Sequence, residues 1–530
     1  MRRFIVSLLF CSLALADPTT TAPPRGLREN TPRFHAFVNA RVVVSPTQTI
    51  ENATLLVRDG VIIAVGGDLA APPEARLTDL AGKTIYPGLI DAYSEPAPAG
   101  AGRGSPAASA TAAPAVATPD GGAAHWTREV LAGARADRAY RPDAALNKSL
   151  RGQGFVARLI VPASGLVKGT STLVSTSDED ASRVIIKPLV AQHLALTPAR
   201  RGFGPRADGE GPRFPSSPMG AFTLVRQTLL DAKWYAAAWA AHESNRTLPP
   251  PQRSDALDAL SAQLKDGVPF IIDANDELYA LRAAQIAEEF TLPAIIRGSG
   301  QEYRRVDEIA ATKLPIIIPL NFPRPPNVSS PEHAVNVSLT ELMDWDIAPE
   351  NPARLSRAGV PLALSTQGLR DKNEFLKNLR KATARGLDRS AALAAVTTVP
   401  ATLFGVTDSL GTIAPGKRAC FIITTGDLFD DKTRILQTWV DGIEFTIAPR
   451  VETDPRGQWA FTNDDRSISF KLSISGEPGR MKGELIRKDR ARPETSDEPA
   501  DSTTEAARPT TTATPATTQA ARPSRAAMQR

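Results

Sequence analysis

Metal-binding side chains are scarce in this chain. Five histidines and two cysteines are spread over 530 residues. His35, His125, His193, His242 and His333 lie far apart, with no two at ligand spacing, so no local motif announces a metal centre. His35 and His125 fall in or beside segments that read as flexible, and His242 ends a helical pattern, where the helix dipole favours it. Cys11 belongs to an opening leader and leaves Cys420 alone, which excludes an intrachain disulfide in the mature chain. Cys420 lies in the apolar run Ala419 to Ile423 and reads as a buried, inert thiol. Charge is nearly balanced: the formal net charge is +5, and no Lys/Arg stripe carries interleaved aromatics. That excludes a nucleic-acid binder as the working reading.

What is present begins with a secretory pattern. Arg2 and Arg3 precede a short apolar run, Phe4 to Ala16, that ends in the small-x-small site Ala14-Leu15-Ala16. The run is shorter than the about 20 residues a spanning helix needs. Residues 1–16 are therefore expected to be a signal peptide, and the mature protein to be exported, periplasmic or extracellular, without a stable membrane anchor. Residues 17–33 are a Pro/Thr/Arg-rich lead-in.

From residue 34 to 86 apolar segments alternate with turns, and Asp59-Gly60 supplies the positive φ of a tight hairpin. Residues 96–124, rich in Ala, Pro, Gly, Ser and Thr, bury too little surface to offset ordering entropy and are expected to be a flexible insertion. Beyond them, strand-like and helix-like segments alternate. Strands are expected at 155–161, 183–190, 269–272, 293–296, 315–318 and 360–364. Helices are expected at 221–241, 255–264, 277–289, 304–312, 374–384 and 391–396. Such alternation, with continuous apolar runs in each strand, predicts an α/β fold with a parallel sheet covered by helices. Residues 404–446 return to β, with strands over 419–424 and 435–445. Residues 447–489 contain a small β segment, and the Thr/Ala/Pro/Arg-rich residues 490–530 read as a disordered tail.

Two motifs carry a family resemblance. Leu80 to Ala92, with its Gly82-Lys83 turn and Pro87-Gly88-Leu89-Ile90-Asp91-Ala92, resembles the opening of the barrel in the amidohydrolase superfamily. Ala391 to Gly405, followed by Leu410-Gly411-Thr412-Ile413-Ala414-Pro415-Gly416-Lys417, looks like the family's final helix and the turn back into its β domain. The resemblance spans about residues 36–446. It implies a (β/α)8 TIM-like barrel over 87–403 and a composite β-sandwich built from 34–86 and 404–446. Within the superfamily the chain looks most like the imidazolonepropionase-like branch. Pro218 to Phe222 through Tyr235, and Ile318 to Pro323, resemble the metal-ligand-lacking N-terminal half of bacterial tandem amidohydrolases.

In that family the residues after the opening strand are His-x-His, which bind the catalytic metal. Tyr93 and Glu95 stand there in this chain. The later histidine positions fall near Asp273, Ala274 and Asn275 and at Arg297, and the terminal aspartate falls on Gln367. A guanidinium has no lone pair to give a cation, and a glutamine amide is no base. Glu95 and Asp273 are candidate oxygen ligands, but two carboxylates beside an arginine look more like an ion-paired filler.

The resemblance therefore implies a vestigial pocket of Tyr93, Glu95, Asp273, Asn275, Arg297 and Gln367, no bound metal, and a noncatalytic barrel that partners an active amidohydrolase chain. Two other readings stay open. One is a hydrolase of non-peptide C–N bonds with a non-standard site, in which Glu95 or Asp273 is the base. The other is a binding protein for an anionic small molecule anchored by Arg297, beside which Gly298-Ser299-Gly300 has the sequence of an anion-binding nest. Zinc or another divalent metal belongs only to a catalytic reading.

Overall fold

The computed structural model describes residues 33–94, 125–198, 214–448, 456–462, 469–477 and 480–488. The leader, most of the lead-in, Glu95, the 96–124 insertion and the tail lie outside the described residues.

The chain opens as a meander: β1 (Phe34–Ser45), β2 (Gln48–Arg58), β3 (Val61–Gly66), β4 (Arg76–Asp79) and β5 (Thr84–Pro87). Asp59 and Gly60 turn β2 into β3 with φ of 50° and 80°, the positive values a two-residue hairpin needs. Gly60 is also required by crowding, because a Cβ there would sit 2.7 Å from the Asp441 carbonyl oxygen.

Ten short strands follow: β6 (Leu89–Ser94), β7 (Phe155–Ile160), β8 (Val167–Thr170), β9 (Thr172–Ser175), β10 (Ile185–Lys187), β11 (Gln192–Ala195), β12 (Phe270–Asp273), β13 (Ala294–Arg297), β14 (Ile316–Pro319) and β15 (Leu362–Ser365). They make two sheets, ordered β10-β9-β7-β6 and β15-β14-β13-β12-β11-β8. From β11 to β15 every pairing is parallel, whereas β8 runs antiparallel to β11 and β9 antiparallel to β7.

Alternation along these strands sorts the side chains. Ile271, Ile295, Ile317 and Ala363 cluster with Tyr93, Ala157 and Leu159 on one face. Their neighbours Ile272, Ile296, Ile316 and Leu364 join the covering helices on the other. Helix 277–290 shows why a helix forms there. The Asp276 carboxylate caps the amide of Tyr279 at 2.8 Å, and Ala280, Ala283, Ile286, Ala287 and Phe290 make one buried stripe at helical spacing.

The chain then returns to its first sheet with β16 (Phe421–Thr424), β17 (Ile435–Val440) and β18 (Ile443–Thr446), giving the order β18-β17-β16-β5-β1-β2-β3 with β4 beside β1. Aromatic rings lock the two chain ends together: Phe421 stacks on Trp439 at 5.5 Å, and Phe37 meets both edge-on. His35, expected in a flexible segment, is instead buried in β1 against Trp439 at 4.9 Å.

Other expectations also need correction. The single strand expected over 435–445 is a hairpin, folded at Asp441-Gly442, both with positive φ. The segment 183–190 is a helical turn, Ala181–Val184, running into β10. Strands β8, β9 and β11 and the helices 331–335 and 339–347 were not foreseen. Residues 456–488 belong to a separate unit, an antiparallel sheet of β19 (Gly457–Thr462), β20 (Ser469–Glu477) and β21 (Arg480–Lys488). Among the described residues no helix is long and apolar enough to cross a membrane.

Candidate functional site

Strand register brings the central residues together. Asp273 ends β12 and Arg297 ends β13, and the two are direct partners in the parallel ladder. Both lie two residues beyond the apolar pair Ile271 and Ile295, so period-2 alternation aims them the same way. Tyr93 comes from β6 and Lys168 from β8.

One carboxylate holds this group. Asp273 accepts from the Lys168 ammonium at 2.6 Å on one oxygen and from the Arg297 guanidinium at 3.1 Å on the other, while the Tyr93 hydroxyl donates at 3.2 Å. Asp273 is 5% exposed, and the side chains of Lys168 and Arg297 only 12% and 13%. The Arg297 guanidinium also stands 5.5 Å from the centroid of the Tyr93 ring and reaches Asn275 at 3.5 Å. Asn275 is exposed and donates a short hydrogen bond to Thr197.

Burial alone would raise the Asp273 carboxyl, but Lys168 and Arg297 outweigh it and hold its pKa well below the carboxylate range. Burial likewise opposes the Lys168 charge, and the Asp273 carboxylate overcomes it, lifting that pKa above the ordinary lysine range.

His193, on β11 opposite Gly169 of β8, lies in the same interior. Its ring meets the Tyr93 ring edge-on at 5.8 Å. The imidazole is fully buried, and neither ring nitrogen has a hydrogen-bond partner among the described residues. Burial, reinforced by Lys168 and Arg297 against the pull of Asp273, lowers its pKa to about 3, so it is neutral near pH 7.

Of the residues singled out from sequence, Tyr93, Asp273, Asn275 and Arg297 are thus contiguous. Gln367 is half-buried in the turn after β15, and Glu95 lies outside the described residues. Lys168 and His193 were missed as members of the site. The one available signal was a lone lysine and a lone histidine inside four-residue, otherwise uncharged strands.

The nest after β13 exists but is already filled. The Glu302 carboxylate accepts from the Ser299 amide at 2.6 Å and the Gly300 amide at 3.1 Å, and from the Asn351 amide nitrogen at 2.7 Å. Glu302 is wholly buried, and a Cβ on Gly298 would approach its Oε1 to 2.4 Å. The chain supplies its own anion there. A second buried carboxylate, Asp91 on β6, accepts from the Thr366 amide at 2.9 Å and its hydroxyl at 2.7 Å, tying β6 to the segment after β15.

A model of the amidohydrolase family matches residues 350–444. An amidohydrolase from Thermotoga maritima MSB8 shares the fold, with a TM-score of 0.60, 24% identity, and coverage of 78% of this chain and 99% of that one. The likeness to amidohydrolases rests on this family match over residues 350–444 and on the shared fold. Molinate hydrolase (16% identity, TM-score 0.44, coverage 80% and 98%) and a putative prolidase from Bifidobacterium longum (13%, 0.42, 78% and 95%) also match. Comparison with curated proteins finds no match.

The likeness to amidohydrolases implies a divalent metal, and the central residues do not fit one. Both Asp273 oxygens are engaged by cationic donors, and those donors, an ammonium and a guanidinium, carry no lone pair for a metal. Among the described residues no three His, Cys, Asp or Glu side chains converge.

Proposed function

We propose that this chain is a noncatalytic barrel of the amidohydrolase superfamily, exported by its N-terminal leader, that partners an active amidohydrolase chain. Its own metal centre is replaced by an internal ion cluster. The observation that carries this reading is the saturation of Asp273 by Lys168, Arg297 and Tyr93 at once. A carboxylate held ionised far below its usual pKa is a weak base, which speaks against Asp273 as the general base of a hydrolase.

Two features support a closed (β/α)8-like barrel. β8 runs into β9 through Ser171 alone, linking the two sheets at one side. Asp91 and Thr366 link β6 with the end of β15 at the other. Counted through those links, β6, β7, β8 with β9, and β11 to β15 give eight staves.

The test is zinc retention. The purified mature protein, incubated with zinc and freed of excess, is expected to keep far less than one equivalent per chain by elemental analysis. Near-stoichiometric zinc that disappears in Asp273→Asn would sink the reading. The partner half is checked by co-purification from the native host, where recovery of an amidohydrolase chain is expected.

A second reading rests on charge. A carboxylate-bearing ligand held at the exposed Asn275 would lie beside the Arg297 guanidinium, which reaches that residue at 3.5 Å. Arg297→Gln is expected to abolish such binding.

A further inference from the structure

A cavity of about 590 Å³ opens at the carboxyl ends of β13, β14 and β15. It is walled by Ser299 to Gln301, by Asn321 to Pro325, by Gly368 to Arg370, and by one face of helix 375–384. None of Tyr93, Lys168, Asp273 or Arg297 lines it, so it is distinct from the central cluster. Its volume lies within the roughly 300–1,000 Å³ of small-ligand sites.

The lining is predominantly cationic. Arg324, Arg370, Lys377 and Lys381 face it, and no described carboxylate pairs with any of them. Of the two acids in the wall, Asp344 is already claimed by Arg304 at 2.7 Å and by the Tyr303 hydroxyl at 2.5 Å, leaving Glu374. Lys377 and Lys381 are one helical turn apart, a like-charge pair that destabilises a helix unless something lies between them. Burial, with Arg385 and Lys377 nearby, lowers the Lys381 pKa against the opposing pull of Asp346. The floor offers other handles. Phe322 lies 5.6 Å from the Lys381 ammonium, and Asn351, 1% exposed, points a buried Oδ1 at no hydrogen-bond partner.

We propose that this cavity binds a small multivalent oxyanion, phosphoryl or polycarboxylate, with Lys377 and Lys381 as its anchors and Phe322 carrying the organic body. The inference goes beyond the noncatalytic reading and does not depend on it, since the two sites share no residue.

Isothermal titration of the full chain at low salt with inorganic pyrophosphate and with citrate tests it. At least one anion is expected to bind saturably, and the one that binds tighter identifies the class. Lys377→Gln/Lys381→Gln is expected to weaken that binding at least tenfold, with the circular dichroism spectrum unchanged. Arg226→Gln, on a distant helix, and Arg297→Gln are expected to leave it intact. Absence of saturable binding by both anions overturns the proposal. So does equal weakening by Arg226→Gln, which would mark diffuse charge attraction. Loss in Arg297→Gln alone would overturn it too, and would move the anion to the central cluster.

Discussion

Asp273 is the side chain on which the central cluster depends. Replacing it with Asn removes the buried carboxylate to which Lys168 and Arg297 both donate. Removing one partner of a buried charge pair costs about 3–5 kcal/mol, and urea denaturation of Asp273→Asn is expected to show a loss of that order. Lys168→Met/Asp273→Leu should lose less than the two single variants added together, because it removes a cation along with its counter-ion. Since the Asp273 pKa is lowered on folding, its contribution is complete above the unfolded value near 4 and fades only in stronger acid. His193 behaves differently. Its folded pKa of about 3 lies below the ordinary 6.5, so between these values the unfolded chain binds the extra proton. Stability conferred by the neutral imidazole is full above pH 6.5 and falls as the solution is acidified toward 3, by about 1 kcal/mol per pH unit. His193→Leu should flatten the stability-versus-pH curve over that window. A parallel pair of curves would show that His193 does not titrate as described. Asp273 and Arg297 were legible because the family resemblance sets ligand positions there, at the ends of apolar runs that read plainly as strands. Lys168 and His193 were not, because each sits inside its strand beside Gly169 or Gln192, where no continuous apolar run marks the strand.

At the level of the element, the loop after β13 shows how a legible motif misleads. Gly298-Ser299-Gly300 reads as a vacant nest, and local pattern says nothing of an occupant supplied two residues later by Glu302. The occupant explains Gly298 as well. A methyl group there would meet the Glu302 carboxylate, and overpacking of this kind costs about 1–3 kcal/mol. Gly298→Ala is therefore expected to lower the thermal midpoint, and Gly298→Ala/Glu302→Ala to lose less than the sum of the single changes. The expected helices, and the expected strands other than 183–190, lie within a few residues of observed ones, since 3.6- and 2-residue periods are local properties. The hairpin at Asp441-Gly442 was read through as one strand because Trp439-Val440 and Ile443 keep the apolar run going across the turn.

The whole first unit is tied by pairing between its two ends. That β5 and β16 are neighbours could not be read from periodicity, which carries no information on partners hundreds of residues away. Only the family resemblance implied it. Trp439, 2% exposed, packs against Phe37 and His35 from the opposite end of the chain. Trp439→Ala should cost about 3–5 kcal/mol and speed hydrogen exchange in β1 as well as in β17; a loss confined to β17 would show that the ends fold independently. The same architecture sets an order of events during synthesis. Thr424 bonds back to Thr84 across 340 residues, so β5 leaves the ribosome long before the strand that covers its edge. At about 5–20 residues per second the interval is on the order of half a minute. During it one nascent chain offers its neighbours an open strand edge, the feature that templates association between unfinished chains. Yield of this protein should therefore fall with the number of ribosomes crowded on each message, and recover when they are spaced apart.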